Sequence, residues 1–301
     1  MINDDSLLMV LLCTIFLFLS SCAKTIDPDS SGSSDFLFGS DTSLDIVTWN
    51  IEHFPKDDRT IGYVLSIIKK MGADVIGLQE ISDSESFLEL IDSLGDGWVG
   101  FRSSDSGYGE LSYLINTNEV DIINEPYTIL KSEDYYFAYR EPFVLDVSYR
   151  GISYSIINVH YKCCGDGSIG SNESDEENRR EKASQYLAGY ISENLSQKKL
   201  LVIGDFNDHI NDAYNDNVFK VFIDFPDTYY FTDTQIANGG THSWSYPSWP
   251  SHLDHILINS NLFSSSYVTE TIKVESTLSG GWPEYDQYIS DHRPVGIRIL
   301  D

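Results

Sequence analysis

Short apolar runs that each stop at a carboxylate, amide or imidazole recur along this chain, and they constrain its fold more than any other feature. The sharpest lies in "KKLLVIGDFNDH", where Leu200 to Ile203 end at Gly204 and Asp205, Asn207, Asp208 and His209 follow at once. A short run without alternation reads as a strand buried on both faces. Asp, Asn and Gly favour turns, so one such end is explained as a turn. The event repeats, however. "IVTWN" ends at Asn50 with Glu52 beyond it, "VIGLQE" at Glu80, and "SIINVH" at His160. "SHLDHILI" opens with His252, Asp254 and His255, and "ISDHRPV" carries Asp291 and His292 just before the last apolar run. Turn propensity does not account for so many strands presenting such groups at a rim. Buried charges are costly unless paired or bound to metal, so these groups are expected to share one site. Their oxygens suit a hard cation such as Mg²⁺, which keeps waters and binds phosphate oxygens. No thiolate set for zinc is present.

Between these runs the chain alternates strands with helices. "TIGYVLSIIKKM" places Ile61, Val64, Leu65, Ile68 and Met71 at helical spacing, and "SESFLELIDSL" reads as a second helix with Ser84 as N-cap. "SDEENRREKASQYLAGYISENL" puts Ala183, Leu187, Tyr190 and Ile191 on one face of an amphipathic helix. A short helix is expected near "DNVFKVF", and a hairpin through Arg150 and Gly151. Many strands with few helices predict an α/β (α+β) fold, with two packed sheets and helices on the outer faces. With 301 residues the chain could form one large core or two domains. No repeat or linker interrupts the middle, so one domain is expected over residues 44–301.

The N-terminal residues are expected to stand outside that domain. Leu7 to Leu19 is apolar but too short to span a bilayer comfortably. It ends in "LSSC", which resembles the lipobox of bacterial lipoproteins. That resemblance implies a signal peptide over residues 1–21, lipidation of Cys22, and a membrane-anchored location in the cell envelope. The opening "MINDDS" departs from the pattern, having no Lys or Arg. Residues 22–43, rich in Ser, Asp and Gly, read as a disordered tether. Export would place the adjacent Cys163 and Cys164 in an oxidising compartment. A vicinal disulfide, two free thiols and a bridge to another chain all stay open, the vicinal disulfide being preferred.

The net charge of -28, with Lys and Arg totalling 19, excludes a broad basic face for polyanions. It does not exclude a phosphate substrate, because a carboxylate-bound divalent cation inverts the local field.

The motifs "WN", "LQE", "NVH", "GDFN", "LDHI" and "SDHRPV", in this order, resemble those of the endonuclease/exonuclease/phosphatase superfamily, over roughly Leu44 to the C-terminus. The resemblance implies a four-layer sandwich, two mainly antiparallel sheets flanked by helices. It implies that Asn50 and Glu80 hold Mg²⁺ or Mn²⁺ with Asp291 nearby, and that His160 and His292 flank the scissile phosphate. Asp205 and Asn207 would orient or activate the attacking water and contact the phosphate, and Asp254 would pair with His292. "YGELSYLIN" is similar to a deoxyribonuclease stretch, which implies a Glu110–His160 pair with Tyr108 beside the phosphate. "REPF" implies a substrate-facing Arg140. Asp205 and His292 both remain open as the general base, with His292 preferred and Asp205 assisting. The implied function is a monomeric, metal-dependent phosphodiesterase, most simply a nuclease. A phosphomonoesterase or sphingomyelinase-like enzyme is the runner-up, and a non-catalytic binding protein comes last. The other histidines, His53, His209, His242, His252 and His255, are expected mostly at the surface or rim.

Overall fold

Strands form where the apolar runs lie. The chain, seen as a computed structural model, is described over residues 37–103 and 109–300, all within one compact unit. In chain order the strands are β1 Leu44–Phe54, β2 Val75–Ile81, β3 Trp98–Arg102, β4 Glu110–Asn116, β5 Asp121–Thr128, β6 Phe143–Tyr149, β7 Ile152–His160, β8 Lys199–Asp205, β9 Tyr229–Phe231, β10 Asp254–Asn259, β11 Tyr267–Thr271 and β12 Val295–Ile299. The helices are α1 Thr60–Met71, α2 Ser84–Leu94, α3 Glu176–Tyr190, α4 Lys220–Ile223, α5 Thr234–Ala237 and α6 Gly281–Tyr288.

One sheet runs β11-β12-β1-β2-β4-β3 and the other β5-β6-β7-β8-β10-β9. Each has one parallel pair at its centre, β1 with β2 and β7 with β8, and is otherwise antiparallel. A parallel pair needs a crossover, which α1 supplies in the first sheet and α3 in the second. Three apolar clusters mark the layers. One, with Leu44, Ile46, Val75, Ile156, Leu201 and Ile203, fills the space between the sheets. A second packs α1 and α2 on the outer face of the first sheet through Val47, Trp49, Ile76 and Leu78. The third packs α3 on the outer face of the second through Ile157, Val159, Leu200 and Val202. This is the expected four-layer sandwich.

The inner faces of the four central strands explain where a site can form. Side chains alternate along a strand, so β1 turns Ile46, Thr48 and Asn50 the same way, and β2 turns Val75, Gly77 and Gln79. β7 turns Ile156, Asn158 and His160, and β8 turns Leu201, Ile203 and Asp205. Each series changes from apolar to polar toward the C-terminal end. Midway, Gln79 donates to Thr48 Oγ1 at 3.0 Å and to Asn158 Oδ1 at 2.8 Å, while Asn158 donates to the carbonyl of Leu78 at 2.9 Å. These amides join the sheets, with Gln79 Oε1 alone of their polar atoms left without a hydrogen-bond partner among the described residues.

Four details differ from the sequence-based expectations. Residues 37–39, expected within the tether, are instead tied to the fold: Leu37 N donates to Lys70 O at 2.7 Å, Gly39 N to Met71 O at 2.8 Å, and Phe38 is buried. Their apolar side chains find a surface at the end of α1, which composition does not reveal. Helix α2 is capped by Asp83, whose carboxylate accepts from Ser86 N, and not by Ser84. Strand β9 and helices α5 and α6 carry no strong periodic signal and were not expected. Helix α3 buries Glu177, Arg179 and Arg180 along with Ala183 and Leu187. The hairpin at Arg150 and Gly151 forms as predicted, with φ of 50° and 80°. No described helix is long and apolar enough to cross a membrane.

Candidate active site

Asn50, Glu80, His160 and Asp205 stand at the C-terminal ends of β1, β2, β7 and β8, the two parallel pairs. Register brings the acids and imidazoles together. His160 lies opposite Asp205 across β7 and β8, and Asp254 lies opposite Asp205 across β10 and β8. Asn50 Nδ2 bridges the two sheets, donating to Glu80 Oε1 at 3.2 Å and Asp205 Oδ2 at 3.0 Å. His160 Nε2 is 3.5 Å from Asp205 Oδ2 and 4.0 Å from Glu80 Oε1. His292, on the segment entering β12, places Nδ1 2.7 Å from Asp254 Oδ2 and Nε2 3.9 Å from both Asp205 Oδ2 and Asp291 Oδ1. Asn207 N donates to Asp205 Oδ1 at 2.9 Å, and its amide donates to Tyr161 O at 3.1 Å.

The backbone here is held in unusual conformations. Glu52, His53, Glu80 and Asn207 all have positive φ, between 34° and 66°. The left-handed region costs an L residue about 1–2 kcal/mol, and such conformations persist where the surroundings over-determine them, commonly at functional sites. Glu80 carries out that role for His53, accepting from its backbone N at 3.0 Å and meeting Nδ1 at 3.2 Å.

Burial dominates the electrostatics. It pushes the Asp205 carboxyl up to about 7, against the opposing pull of His292. Burial drives His160 well below the ordinary imidazole value, and the charges of Arg140 and His292 add to this. Burial also works to lower His292, but the carboxylates of Asp254 and Asp205 outweigh it and raise the group to about 10. Near neutrality the arrangement therefore holds one imidazolium, one neutral imidazole and one readily protonated carboxylate.

The site opens into a cavity of about 650 Å³. Glu52, Glu80, Glu177, Asp205, Asp208, Asp212 and Asp291 line it, against a single guanidinium, Arg180, among the described residues. Arg180 is itself committed to Asp208 at 2.7 Å and Glu177 at 3.2 Å. A wall of carboxylates with so little compensation suits a hard divalent cation: Asn50, Glu80 and Asp291 border the same cavity, and Asp205, Asp254 and His292 hold ligand atoms within 4.8 Å of one another.

Several predicted residues take other places. Glu110 does not pair with His160: its carboxylate meets Arg102 at 2.5 Å, and His160 Nδ1 has no hydrogen-bond partner among the described residues. Arg102, one strand away on β3, is the stronger partner for a carboxylate than a neutral imidazole. Arg140 does not reach into the cavity. It donates to the carbonyls of His160 at 3.3 Å and Tyr161 at 2.8 Å, fixing the end of β7 from behind. Tyr108 lies outside the described residues, as do Cys22 and the segment 1–36. Glu52 turns to Lys56 and to Asp291 N at 3.0 Å. Cys163 and Cys164 are exposed free thiols on the cavity wall, not the preferred vicinal disulfide.

His252 and His255 are fully buried, contrary to the surface placement expected. His252 Nδ1 accepts from Ser245 N, so its Nε2 donates to Asp233 Oδ2 at 3.0 Å. His255 places Nδ1 2.6 Å from the same oxygen and donates from Nε2 to Asp208 O at 2.9 Å. The two imidazoles overcome burial and hold Asp233 far below the usual carboxylate range. This closed triad anchors β10 and the residues after Asn207.

Other supports escaped sequence reasoning. Tyr285 on α6 donates to His292 O at 2.5 Å and accepts from Trp49 Nε1 at 2.8 Å. Ser290 donates to Asn50 O at 2.6 Å and accepts from His292 N at 2.9 Å. The Tyr246 ring lies 4.8 Å from that of His292, centre to centre. Ser290 sits inside "SDHRPV" and was within reach of a motif reading; Tyr285 had no local signal.

Residues 47–292 match the model of the Endonuclease/Exonuclease/phosphatase family. Solved structures share the fold. TDP2 of D. rerio in complex with a single-strand DNA product is 16% identical with a TM-score of 0.63, covering 86% of this chain and 99% of its own. The catalytic domain of human nocturnin with bound sulfate is 15% identical with a TM-score of 0.58, covering 86% and 94%. An endonuclease/exonuclease/phosphatase of Bacteroides vulgatus is 13% identical with a TM-score of 0.61, covering 86% and 98%. No curated protein matches the chain.

Proposed function

Because the chain belongs to the endonuclease/exonuclease/phosphatase family, we propose that it is a divalent-cation-dependent phosphodiester hydrolase. The observation that carries this reading is the meeting of Asn50, Glu80, His160, Asp205 and His292 at one rim, drawn from both sheets. In this reading Asp205 takes the proton of the attacking water, since burial gives it the affinity for a proton that a base near neutral pH needs. His292, preferred as base from the sequence, is charged at neutral pH because of Asp254 and Asp205, so it stabilises the phosphoryl oxygens and can return a proton to the leaving oxygen. Asn207 contributes a neutral donor and His160 a neutral imidazole. Mg²⁺ or Mn²⁺ held by Glu80, Asn50 and Asp291 would neutralise charge on the phosphate.

Nucleic acid is the first substrate proposed, by analogy with the DNA bound to TDP2 of D. rerio. The acidic cavity favours a second reading, a small phosphate ester. Seven carboxylates face the site and its guanidinium is already paired, whereas a long polyanion is normally held by several Lys and Arg. Location follows from the "LSSC" segment: we propose export and lipid anchoring through Cys22, with the enzyme acting as a monomer at the cell envelope. The deciding experiment is a Mg²⁺ panel of plasmid DNA, single-stranded DNA, RNA, bis-p-nitrophenyl phosphate, p-nitrophenyl phosphate and sphingomyelin. Turnover of both DNA forms favours the nuclease. Turnover of bis-p-nitrophenyl phosphate with DNA left intact favours the small ester, and inertness toward all six rejects both.

A further inference from the structure

The segment leaving β7 carries two adjacent thiols whose setting the phosphate chemistry does not use. Cys163 and Cys164 are both exposed, and both border the cavity. Their sulfurs lie on the same side of the chain, with Cys164 Sγ donating to Cys163 Sγ across 3.0 Å. Lys162 Nζ is 3.6 Å from Cys163 Sγ and donates to the carbonyl of Cys163 at 2.9 Å. Two donors, one of them cationic, therefore converge on the Cys163 sulfur. Exposed, and met by both neighbours, Cys163 Sγ is the sulfur placed to attack. Cys164 faces it as a resolving thiol.

The backbone under the pair is pinned. Arg180 Nη1 donates to the carbonyls of Lys162 and Cys164, each at 2.7 Å. The same guanidinium binds Asp208 at 2.7 Å and Glu177, and Glu177 accepts from Gly167 N at 2.6 Å. Arg180 and Glu177 are both buried. Cys164 has a φ of 71°, so the chain is already turned to bring the sulfurs together.

We propose that Cys163 and Cys164 form a thiol-modification site for small-molecule disulfides, and that closing it reshapes the cavity wall. The Cys163 thiolate attacks one sulfur of R–S–S–R. The S–S bond breaks, R–S⁻ leaves, and a mixed disulfide forms. Cys164 then gives its proton to the departing thiolate and attacks the Cys163 sulfur, expelling the second R–S⁻. Two electrons pass from the protein dithiol to the reagent. Joined cysteines normally hold their Cα atoms about 4.4–6.8 Å apart, whereas neighbours across a trans peptide are about 3.8 Å apart. Ring closure therefore twists the peptide between them, which displaces the Cys164 carbonyl from Arg180 or drags Arg180 with it. Either movement reaches Asp208, the neighbour of Asn207. The ring is easily reopened by thiols, so the modification is reversible.

The test uses the full chain with glutathione disulfide, followed by alkylation and peptide mapping over residues 163–164. Wild type should lose both alkylation sites and gain an internal disulfide without a lasting glutathionyl adduct. Cys164→Ser should accumulate the mixed disulfide on Cys163, and Cys163→Ser should react at least about tenfold more slowly at Cys164. Equal reactivity of the two single variants, a stable adduct on wild type, or a disulfide-linked dimer would each overturn the site. These readouts need no phosphoesterase activity, so they stand or fall apart from the proposed function. If hydrolysis is observed, closing the ring should shift KM by about threefold or more and leave kcat unchanged. An unchanged KM in fully oxidised protein overturns the link to the cavity.

Discussion

Asp254 and His292 are joined by a 2.7 Å contact between Oδ2 and Nδ1, and both are buried. The carboxylate fixes the ring so that Nε2 faces Asp205, and it is the first of the influences that raise the imidazole to about 10. Removing that charge in Asp254→Asn should lower kcat by about 10²-fold, the scale of one acid–base group. The sign of the pH effect is fixed. The charged ring is present below its pKa and lost above it, so the variant's alkaline limb should move to lower pH. An unmoved limb in a pH–rate profile would detach His292 from the reaction.

Asp205→Ala, His160→Ala and His292→Ala should each reduce turnover by about 10²-fold or more, with circular dichroism unchanged. Near-wild-type rates in both histidine variants would refute the catalytic assignment.

Chelation by EDTA should abolish hydrolysis, and Mg²⁺ or Mn²⁺ should restore it. Glu80→Gln keeps the bond from Asn50 but loses the charge, and should raise the Mg²⁺ concentration for half-maximal activity by about tenfold or more. Isothermal titration with Mg²⁺ alone checks the same point without substrate. Full activity in excess EDTA would remove the cation from the scheme.

Tyr285→Phe leaves the carbonyl of His292 and the indole N–H of Trp49 without their shared partner. The expected loss is about 1–3 kcal/mol, the desolvation cost of unsatisfied buried groups. Urea unfolding should show a lower midpoint with an unchanged slope.

Asp74 provides a pH test of stability away from the site. Burial pushes its carboxyl up to about 8 from a model-peptide value of 3.8. The folded chain thus holds a proton that the unfolded chain has released between those values, so stability falls as pH rises through that window. Asp74→Asn keeps an acceptor for Asp45 N and should flatten the fall in Tm from about pH 4 to 8. An identical slope in the variant would contradict the assignment.

Much of this arrangement was legible because strand periodicity and side-chain chemistry point the same way. The series ending at Asn50, Glu80, His160 and Asp205 could be read from short runs that stop at polar groups, since a residue's place on a strand decides the face it meets. Partners chosen by competition were not legible. Resemblance placed Glu110 beside His160, and only the packing of β3 beside β4 gives it to Arg102. His252 and His255 looked like rim residues because nothing local shows that Asp233, on another segment, will enclose them. Tyr285 reaches His292 from a helix whose Pro and Gly content hides its period. Phe38 is buried by a long-range contact that a composition rich in Ser and Asp conceals.

The position of β1 between β2 and β12 has a consequence for biogenesis. Leu44 pairs with Ile299, and Thr48 with Val295, so the first strand of the sheet is completed by the last. Asp291 and His292 ride on the segment that leads into that last strand. A ribosome-bound chain that still lacks β12 therefore has Glu80, His160 and Asp205 in place, but nothing yet holds His292 beside them or flanks β1. The rim cannot assemble before β12 closes on β1, so any chemistry there waits on a pairing between strands about 250 residues apart in sequence.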